Sequence, residues 1–165
     1  MDDGGDEWVV WLERHGPALV LLARQWVDCQ LTAEDVVQEA FVRFWRAREQ
    51  VADPAAYLYA CVKRCALDWQ RGRGRQNRRE QAAARPEAEG PFTGSMEEGE
   101  RRAAIALALR GLPEDQREVL VMKVWGDLTF VQIAQVLQVS ANTAASRYRY
   151  ALAKLREQLA EEFIP

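Results

Sequence analysis

Apolar residues recur at helical spacing along most of this chain, and no stretch shows sustained alternation of apolar and polar residues. The pattern therefore predicts an all-α protein. Between residues 76 and 100 large apolar residues become rare and Glu, Ala, Gly and Pro dominate, which is the composition of a flexible connector. We predict two small helical domains, residues 1–75 and 101–165, joined by a flexible acidic linker at 76–100.

The first domain opens on a polar stretch, residues 1–6, that we expect to be disordered. From residue 7 to 27 tryptophans and leucines recur at helical intervals, interrupted at Gly16 and Pro17. This segment is predicted to be a helix, or a broken pair of helices, that covers a core.

Two further helices of the first domain are predicted from their starting residues. Thr32 and Asp35 have the spacing of a capping box, and Asp53-Pro54 marks a turn followed by a helix start. The helix after Thr32 would bury a stripe formed by Val36, Val37, Ala40, Phe41 and Phe44. Its outward face would carry Asp35, Gln38, Glu39, Val42 and Arg46.

The second domain is predicted to contain four helices. Pro113 ends the first of them, and Gly126 is expected to cap the second. The third begins at a capping box formed by Thr129 and Gln132. A break at Ser140 then precedes a new helix start, at Ser140 itself or at Asn142, so the last two helices form a helix-turn-helix.

The last helix has the distribution of residues expected of a DNA recognition helix. One side is apolar, formed by Ala144, Tyr148, Ala151, Leu152 and Leu155. The opposite side carries Asn142, Thr143, Ala145, Ser146 and Arg149, and Arg147 flanks it. Residues 140–156 contain no acid, so small polar groups could reach base edges while cations neutralise phosphates. The alternative is an amphipathic hairpin that packs on its own domain.

The charges are segregated along the chain, although they sum to only -3. Five arginines between residues 71 and 79 lie without an intervening acid, and six glutamates follow before residue 101. Local sign matters more than the sum for binding an anionic partner. The three cysteines are odd in number and not closely repeated, which favours a reducing compartment. With an acidic start and no long apolar run, the sequence predicts a cytoplasmic protein with no membrane segment.

Aromatic residues lead directly into the arginine run. Tyr57, Tyr59 and Trp69 precede Arg71 and the basic segment after it. Such an order suits a surface that stacks an unpaired base and holds its backbone by charge. The alternative is that these aromatics are buried core residues followed by a solvated tail.

Catalytic and metal sites find little support in the sequence. Cys61 and Cys65 lie one helical turn apart, but with Cys29 and His15 they do not complete the paired spacing of a zinc site. His15 has no nearby nucleophile in the sequence, and no phosphate-binding loop is present. We expect no metal, no cofactor and no enzymatic activity.

Four segments together resemble bacterial RNA polymerase sigma factors, in particular the two-domain extracytoplasmic-function group. They read AEDVVQEAFVRFW at 33–45, YLYACVKRCALDW at 57–69, GLPEDQREVLVMKVWGDLTFVQIAQVL at 111–137 and NTAASRYRYALAKLR at 142–156. The resemblance extends from about Trp11 to Leu159 and places the spacer where the family has one.

The resemblance implies a factor that binds core RNA polymerase and promoter DNA and directs transcription initiation. Residues implied to dock on the polymerase are Asp35, Gln38 and Glu39. Residues implied to engage the minus-ten element on the melted non-template strand are Tyr57, Tyr59, Arg64, Trp69 and Arg71, with a flipped base held near residues 50–54. Residues implied to read the minus-thirty-five element as duplex are Asn142, Thr143, Ala145, Ser146, Arg147 and Arg149. An anti-sigma factor is an expected partner.

The chain departs from the family pattern at several of these positions. Relatives usually carry Lys at the position of Ala145, His-Arg at Arg149-Tyr150, and Gly at Gln138. Asn is common in relatives where this chain has Arg64, and Trp where it has Tyr57. These departures affect which bases would be preferred, and a left-handed Gln138 would cost about 1 kcal/mol.

Two other functions are compatible with parts of the pattern. One is an ordinary helix-turn-helix regulator that never enters the polymerase. The other is a protein-interaction adaptor whose basic segments do not touch DNA, such as an antagonist that mimics a sigma domain.

Overall fold

The computed structural model describes residues 3–72 and 96–163. They fall into two compact units, one within Met1–Phe92 and the other within Thr93–Pro165. Regular structure across the two described ranges consists of seven α-helices and one 3-10 turn, without a strand. The prediction of an all-α protein with two small helical domains is confirmed.

The described part of the first unit contains three α-helices. They are α1 (Asp3–Ala23), α2 (Gln30–Ala47) and α3 (Pro54–Arg71), with the 3-10 turn at Arg48–Gln50 between α2 and α3. Helix α2 packs against both of the others, and α1 also contacts α3. The core of the unit therefore lies where the three helices meet around α2.

Helix α1 is longer and more continuous than the sequence pattern indicates. It begins at Asp3, so residues 3–6 are helical rather than disordered, and it runs through Pro17 without a break. Proline removes a backbone N–H and usually bends or ends a helix. Here Pro17 faces solvent while His15 and Ala18 beside it are buried. Core packing on both sides of the proline holds the segment helical.

The capping box predicted at Thr32 is wrong, because α2 begins two residues earlier. Its first residue is Gln30, and the N-cap, Cys29, makes no side-chain cap bond. The Gln30 side chain accepts a hydrogen bond from Arg24 at 3.1 Å and donates one to buried Glu34 at 3.1 Å. Contacts with the preceding turn set this helix start, and a local capping pattern cannot reveal them.

Aromatic rings join α1 to α2. The ring centroids of Trp8 and Phe41 are 4.5 Å apart, those of Trp8 and Trp45 5.0 Å, and those of Trp11 and Phe44 4.9 Å. Phe41 and Phe44 are fully buried. Burying each such side chain contributes about 1.5–3 kcal/mol, and each ring pair adds about 0.5–1.5 kcal/mol. The predicted apolar stripe of α2 is thus the centre of this core.

A buried polar pair joins α1 to α3. His15 Nδ1 lies 3.0 Å from the hydroxyl of Tyr59, and the imidazole stacks on Trp11 at 5.2 Å. Burial, assisted by the charge of Arg14, lowers the pKa of His15 from 6.5 to about 4. The imidazole is therefore neutral near pH 7 and suits its apolar surroundings.

Helix α3 begins where the sequence predicts. The Asp53 carboxylate accepts a hydrogen bond from the backbone N–H of Ala56 at 3.1 Å, and Pro54 is the first helical residue. The aspartate cap satisfies one of the backbone N–H groups that a helix start leaves unpaired, and proline has no N–H to satisfy. The start of α3 therefore has a purely local cause.

Four helices build the second unit. They are α4 (Met96–Arg110), α5 (Glu114–Val124), α6 (Phe130–Leu137) and α7 (Ala141–Phe163). Helix α7 packs against each of the other three. Buried side chains of this core include Leu109, Leu112, Val119, Leu120, Met122, Leu128, Ile133, Ala144 and Ala151.

The last five residues of the predicted linker are helical. Residues 76–95 of the predicted linker lie outside the described residues, but Met96–Glu100 form the start of α4. Glu97 and Glu98 occupy the first turn, where the helix dipole favours acids. Residues 96–100 are all exposed, so their polar composition reflects an exposed helical turn and not a linker.

The turn after α5 differs in detail from the prediction. The N–H of Gly126 donates to the carbonyl of Val121 at 3.1 Å, as a capping residue would. The left-handed residue, however, is Asp127, with a φ of 53°. Aspartate tolerates this conformation better than most residues because its short side chain is polar and unbranched at Cβ.

The helix-turn-helix forms as predicted. Thr129 accepts from the N–H of Gln132 at 3.1 Å, and the Gln132 side chain accepts from the N–H of Thr129 at 2.9 Å. Helix α6 ends at Gln138, which adopts φ 56° and ψ 47°. This left-handed cap is the conformation for which glycine is preferred.

Titration of His15 should make the first unit pH-sensitive. Between about pH 6.5 and 4 the unfolded chain binds a proton that the folded unit excludes, so stability is fully present above this window. It should fall by up to about 3 kcal/mol as the pH drops through the window. Urea unfolding followed by tryptophan fluorescence reports mainly on this unit, which holds five of the six tryptophans. A His15→Gln variant, which can still hydrogen-bond Tyr59 but does not titrate, should lose the dependence; parallel curves for the two proteins would contradict the assignment.

Replacing the left-handed cap by glycine should stabilise the second unit. Gln138→Gly relieves the strain of a side chain at positive φ, and we expect a gain of up to about 1 kcal/mol in thermal unfolding followed by circular dichroism. Gln135→Gly is the matched control, since Gln135 is exposed within α6. It should destabilise by about 1 kcal/mol. Loss of stability in both variants would show that Gln138 is not strained.

Candidate nucleic-acid and protein interfaces

The outward face of α2 presents polar side chains beside one apolar one. Asp35, Gln38 and Glu39 are exposed and occupy adjacent positions around the helix. Glu39 forms an ion pair with Arg43 one turn later, at 2.7 Å. Val42, 42% exposed, adds an apolar contact to the same face. The combination of apolar and hydrogen-bonding groups suits a protein partner.

The outward side of α3 carries a row of residues spaced by two helical turns. Tyr57 is half-buried, and Arg64 and Arg71, seven and fourteen residues later, are exposed. This spacing aligns the three side chains along the helix. Trp69, which is half-buried, lies around the helix from the row. The structure thus brings together an aromatic ring and two cations, the groups that bind a single strand.

Tyr59 does not belong to this surface. It is 0% exposed, and its hydroxyl bonds to His15 inside the core. A nucleotide base could stack on its ring only if the first unit opened. The expectation of a base contact at Tyr59 is therefore corrected, and the core-aromatic alternative holds for this residue.

The Tyr57 hydroxyl is engaged within its own helix. A side-chain hydrogen bond with Cys61, one turn later, is the main cause that raises the pKa of Tyr57, while the charges of Arg64 and Arg43 oppose the rise. Because Tyr57 is half-buried, part of its side chain remains accessible. Stacking is consequently the contact that Tyr57 offers most directly.

A cation holds the turn that leads from α2 to α3. The guanidinium of Arg48 lies 3.6 Å from the centroid of the Trp45 ring and donates to the backbone carbonyl of Trp45 at 2.5 Å. A cation over an aromatic face contributes about 0.5–2 kcal/mol. With Asp53 capping the next helix, both ends of residues 50–54 are anchored.

Helix α7 begins at a hydroxyl cap. Ser140 accepts from the N–H of Thr143 at 3.0 Å and donates to its hydroxyl at 2.8 Å. Of the two helix starts that the sequence allowed, Ser140 and Asn142, the cap is therefore Ser140. Asn142 and Arg149 are exposed, and Arg149 donates to the hydroxyl of Ser146 at 3.2 Å.

The remaining predicted residues of this helix are less accessible. Thr143, Ala145, Ser146 and Arg147 are all half-buried. Tyr150, which was not predicted as a contact, is 67% exposed beside Arg149. The exposed part of the predicted contact surface is therefore formed by Asn142 and Arg149, with Tyr150 next to Arg149.

Arg147 faces its own unit as well as solvent. Its Nε lies 3.6 Å from a carboxylate oxygen of Asp115 in the first turn of α5, and its side chain is 29% exposed. The pair ties the recognition helix to α5 and orients the guanidinium. Its partial exposure leaves nitrogen donors available to an anionic ligand.

No group of three or more metal-binding side chains occurs among the described residues. Cys29 is exposed, while Cys61 and Cys65 are buried and free. Burial raises the pKa of Cys65 to about 11, so its thiol is protonated near pH 7. Within residues 3–72 and 96–163, no helix combines the length and apolar character that crossing a membrane requires.

Besides Tyr150, three residues at these surfaces were not predicted from the sequence, namely Arg43, Arg48 and Asp115. The spacing of Arg43 from Glu39 is a helical ion-pair spacing and could have been noticed. Arg48 and Asp115 act through contacts with Trp45 and Arg147 that depend on turn geometry and tertiary packing. The three-residue spacing of Arg48 from Trp45 is local and could also have been noticed, whereas no local pattern predicts the contact of Asp115 with Arg147.

Comparisons with protein families match two regions of the chain. The family model Sigma-70 region 2 matches residues 11–76, and the model Sigma-70, region 4 matches residues 102–155. The first match includes α2, α3 and α1 from Trp11, and the second includes α5, α6 and parts of α4 and α7, in the order that the sequence resemblance implied.

Curated relatives match most of the chain. The RNA polymerase sigma-E factor of Streptomyces coelicolor is 30% identical over 145 residues, which cover 86% of this chain and 80% of the relative. The ECF RNA polymerase sigma factor SigK of Mycobacterium ulcerans is 29% identical over 134 residues, 77% of this chain and 72% of that protein.

Solved structures share the fold. The sigma factor RpoE, from a complex with the anti-sigma factor NepR from Bartonella quintana, matches 97% of this chain and 98% of that chain with a TM-score of 0.68 and 22% identity. CnrH, from a complex with the cytosolic domain of CnrY, matches 93% of this chain and 88% of its own with a TM-score of 0.62 and 25% identity.

Proposed function

The chain belongs to the sigma-70 family of RNA polymerase sigma factors, in the extracytoplasmic-function group, and directs promoter-specific transcription initiation; we propose how its surfaces divide that task. One face of the first unit would dock on core polymerase and another would capture the melted strand. The second unit would read duplex DNA. On this proposal the protein is a binding factor rather than an enzyme, and it acts in the cytoplasm with the polymerase.

Polymerase docking is assigned to the outward face of α2. Asp35, Gln38 and Glu39 supply two carboxylates and an amide, and exposed Val42 lies among them. The helix that carries them is fixed by the aromatic core on its other side. A rigid helix with exposed acids offers a preorganised surface to a basic partner, which lowers the entropy lost on binding.

Capture of the minus-ten element is assigned to α3 and the turn before it. Tyr57 would stack on a base while Arg64 and Arg71 meet phosphates, and Trp69 would contribute from the side. Removing a base from the stack costs a few kcal/mol, and stacking on an aromatic ring returns roughly 1–3 kcal/mol per base. The anchored turn at residues 50–54 would receive the flipped base.

Reading of the minus-thirty-five element is assigned to α7. Asn142 and Arg149 are exposed and can reach base edges, and Thr143, Ala145 and Ser146 shape the surface between them. Arg147, which is partly exposed beside Asp115, would contact a phosphate. An arginine that pairs with guanine or an asparagine that pairs with adenine discriminates by roughly 1–3 kcal/mol.

The observation that carries the proposal is the placement of polar faces on both units. Apart from buried Tyr59, the predicted contact residues are exposed or half-buried on helices whose opposite sides are buried. A helix-turn-helix regulator would explain α7 but not the polar face of α2. An interaction adaptor would explain the α2 face but not a capped recognition helix whose residues 141–156 contain no acid.

A regulatory partner is also proposed. The solved structures similar to this chain include a sigma factor bound to the anti-sigma factor NepR and CnrH bound to the cytosolic domain of CnrY. A protein of that class, which covers the polymerase-binding or DNA-binding surfaces, would keep this chain inactive until a signal releases it.

Run-off transcription with purified core polymerase tests the proposal as a whole. The wild-type chain should make core polymerase start at a promoter selected from a random library, which neither rival function predicts. The triple variant Asp35→Ala, Gln38→Ala, Glu39→Ala should lose co-elution with core polymerase and lose run-off product. Glu7→Ala with Glu13→Ala, two exposed acids of α1, is the control and should keep both. Full-affinity co-elution of the triple variant would contradict the docking assignment.

Two arginines of α7 should have separable roles in duplex binding. Arg149→Ala should change the preferred sequence at one or two base pairs in selection from a random duplex library. Arg147→Ala should weaken binding to all sequences and reduce the salt slope by about 0.9, the value for one phosphate. Arg101→Ala, an exposed cation on α4, should change neither. An unchanged sequence profile for Arg149→Ala would remove it from the base-reading residues.

A further inference from the structure

Arg43 stands at the border between the outward face of α2 and the face that packs on α3. It follows buried Val36 by seven residues, which is two helical turns, and exposed Glu39 by four. Its side chain is 50% exposed and reaches back to Glu39, with 2.7 Å between Nη2 and Oε1. Arg43 is therefore on the edge of the helix rather than at the centre of the proposed docking face.

Trp8 of α1 packs on Phe41 and Trp45 at one edge of α2, so the opposite edge, which carries Val36 and Arg43, is the one turned toward α3. Tyr57, Cys61, Arg64 and Cys65 follow one side of that helix at helical spacing. Burial raises the pKa of Cys65, and the charge of Arg43 is the first influence that opposes it. The same charge acts on Tyr57 and Cys61, together with that of Arg64. The charges of Arg43 on α2 and Arg64 on α3 therefore both act on the Tyr57–Cys61 pair.

An aromatic ring flanked by two exposed cations has the composition of a single-strand binding site. The ring provides a stacking surface that any base can use, and each guanidinium can donate to a phosphate. Arg43 comes from α2, outside the segment that the sequence resemblance connects with the minus-ten element. The packing of α2 on α3 brings it there.

The partner of Arg43 determines how available it is. An exposed ion pair between residues four apart on a helix stabilises by only a few tenths of a kcal/mol. A phosphate, which offers several acceptor oxygens, can therefore displace Glu39 from Arg43 at little cost. Any partner that draws Glu39 away would make Arg43 slightly more available to DNA.

We propose that Arg43 is a further contact for the melted promoter strand, pairing with a phosphate beside Tyr57 and opposite Arg64, and that Glu39 is its weak internal competitor. The proposal rests on the assignment of the α3 surface to strand capture. It also links the two faces of the first unit, because docking that engages Glu39 would release Arg43 for the strand.

Binding of the full chain to a fluorescently labelled, randomised 12-nucleotide single strand, measured by anisotropy across a salt series, tests this without polymerase. Arg43→Met should weaken binding several-fold at low salt and reduce the salt slope by about 0.7, the value for one phosphate on a single strand. Glu39→Gln should tighten binding about twofold, the size of the lost ion pair. The double variant should match Arg43→Met alone, because Glu39 acts only through Arg43.

Matched variants separate the possible outcomes. Arg46→Met removes an exposed cation from the docking face of the same helix and should leave the slope unchanged. Arg43→Lys keeps the charge and should keep the slope, which distinguishes a phosphate contact from a folding defect. If Arg43→Met behaves like Arg46→Met while Arg64→Met loses slope, the inference about Arg43 is wrong and the strand surface stands. If neither Arg43→Met nor Arg64→Met changes binding, the assignment of the α3 surface itself fails.

Discussion

The two-sided packing of α2 is the constraint on which the rest of the first unit depends. Its apolar stripe must satisfy the rings of α1 and the inward side of α3 at once, so the rotation of α2 about its axis is fixed. A helix fixed in this way has one free face and two edges. The free face holds the residues proposed for polymerase docking, and one edge places Arg43 beside α3. The residues available for function on this unit are therefore those of α2 that the core does not bury.

In the second unit, small side chains fix the position of α7. Ala144 and Ala151, both 0% exposed, allow α7 to pack closely against its neighbours. The left-handed Gln138 then sets the turn between α6 and α7, although glycine would adopt that conformation with less strain. The strained turn costs about 1 kcal/mol. Each of several side chains buried by α7 contributes about 1 kcal/mol or more, so the packing of α7 outweighs that cost. The orientation of Asn142 and Arg149 depends on that balance.

Sequence patterns predicted those features whose causes are local. The Asp53 cap, the capping box of Thr129 and Gln132, and the buried stripe of α2 each depend on residues within a few positions of one another. The patterns failed where distant contacts decide. The start of α2 follows from Arg24 and Glu34, continuity of α1 through Pro17 follows from packing, and Tyr59 is held in the core by His15. Helical spacing places Tyr57 and Tyr59 on different sides of α3, so both could not face one surface, but the contact with His15 is what identifies Tyr59 as the core ring.

Three arginines at or beside the proposed interfaces form ion pairs within their own unit, which the net charge does not reveal. Arg43, Arg48 and Arg147 each have an acid of their own unit close by, at 2.7 Å from Glu39, 3.9 Å from Glu49 and 3.6 Å from Asp115. Exposed pairs of this kind are worth no more than about 1 kcal/mol each, so they reduce the attraction of the free chain for DNA without blocking it. Because phosphate competes with a carboxylate for the same guanidinium, each pair can exchange its partner on binding. A chain arranged in this way would bind stray DNA weakly and depend on the polymerase, which holds the promoter nearby, to make those exchanges favourable.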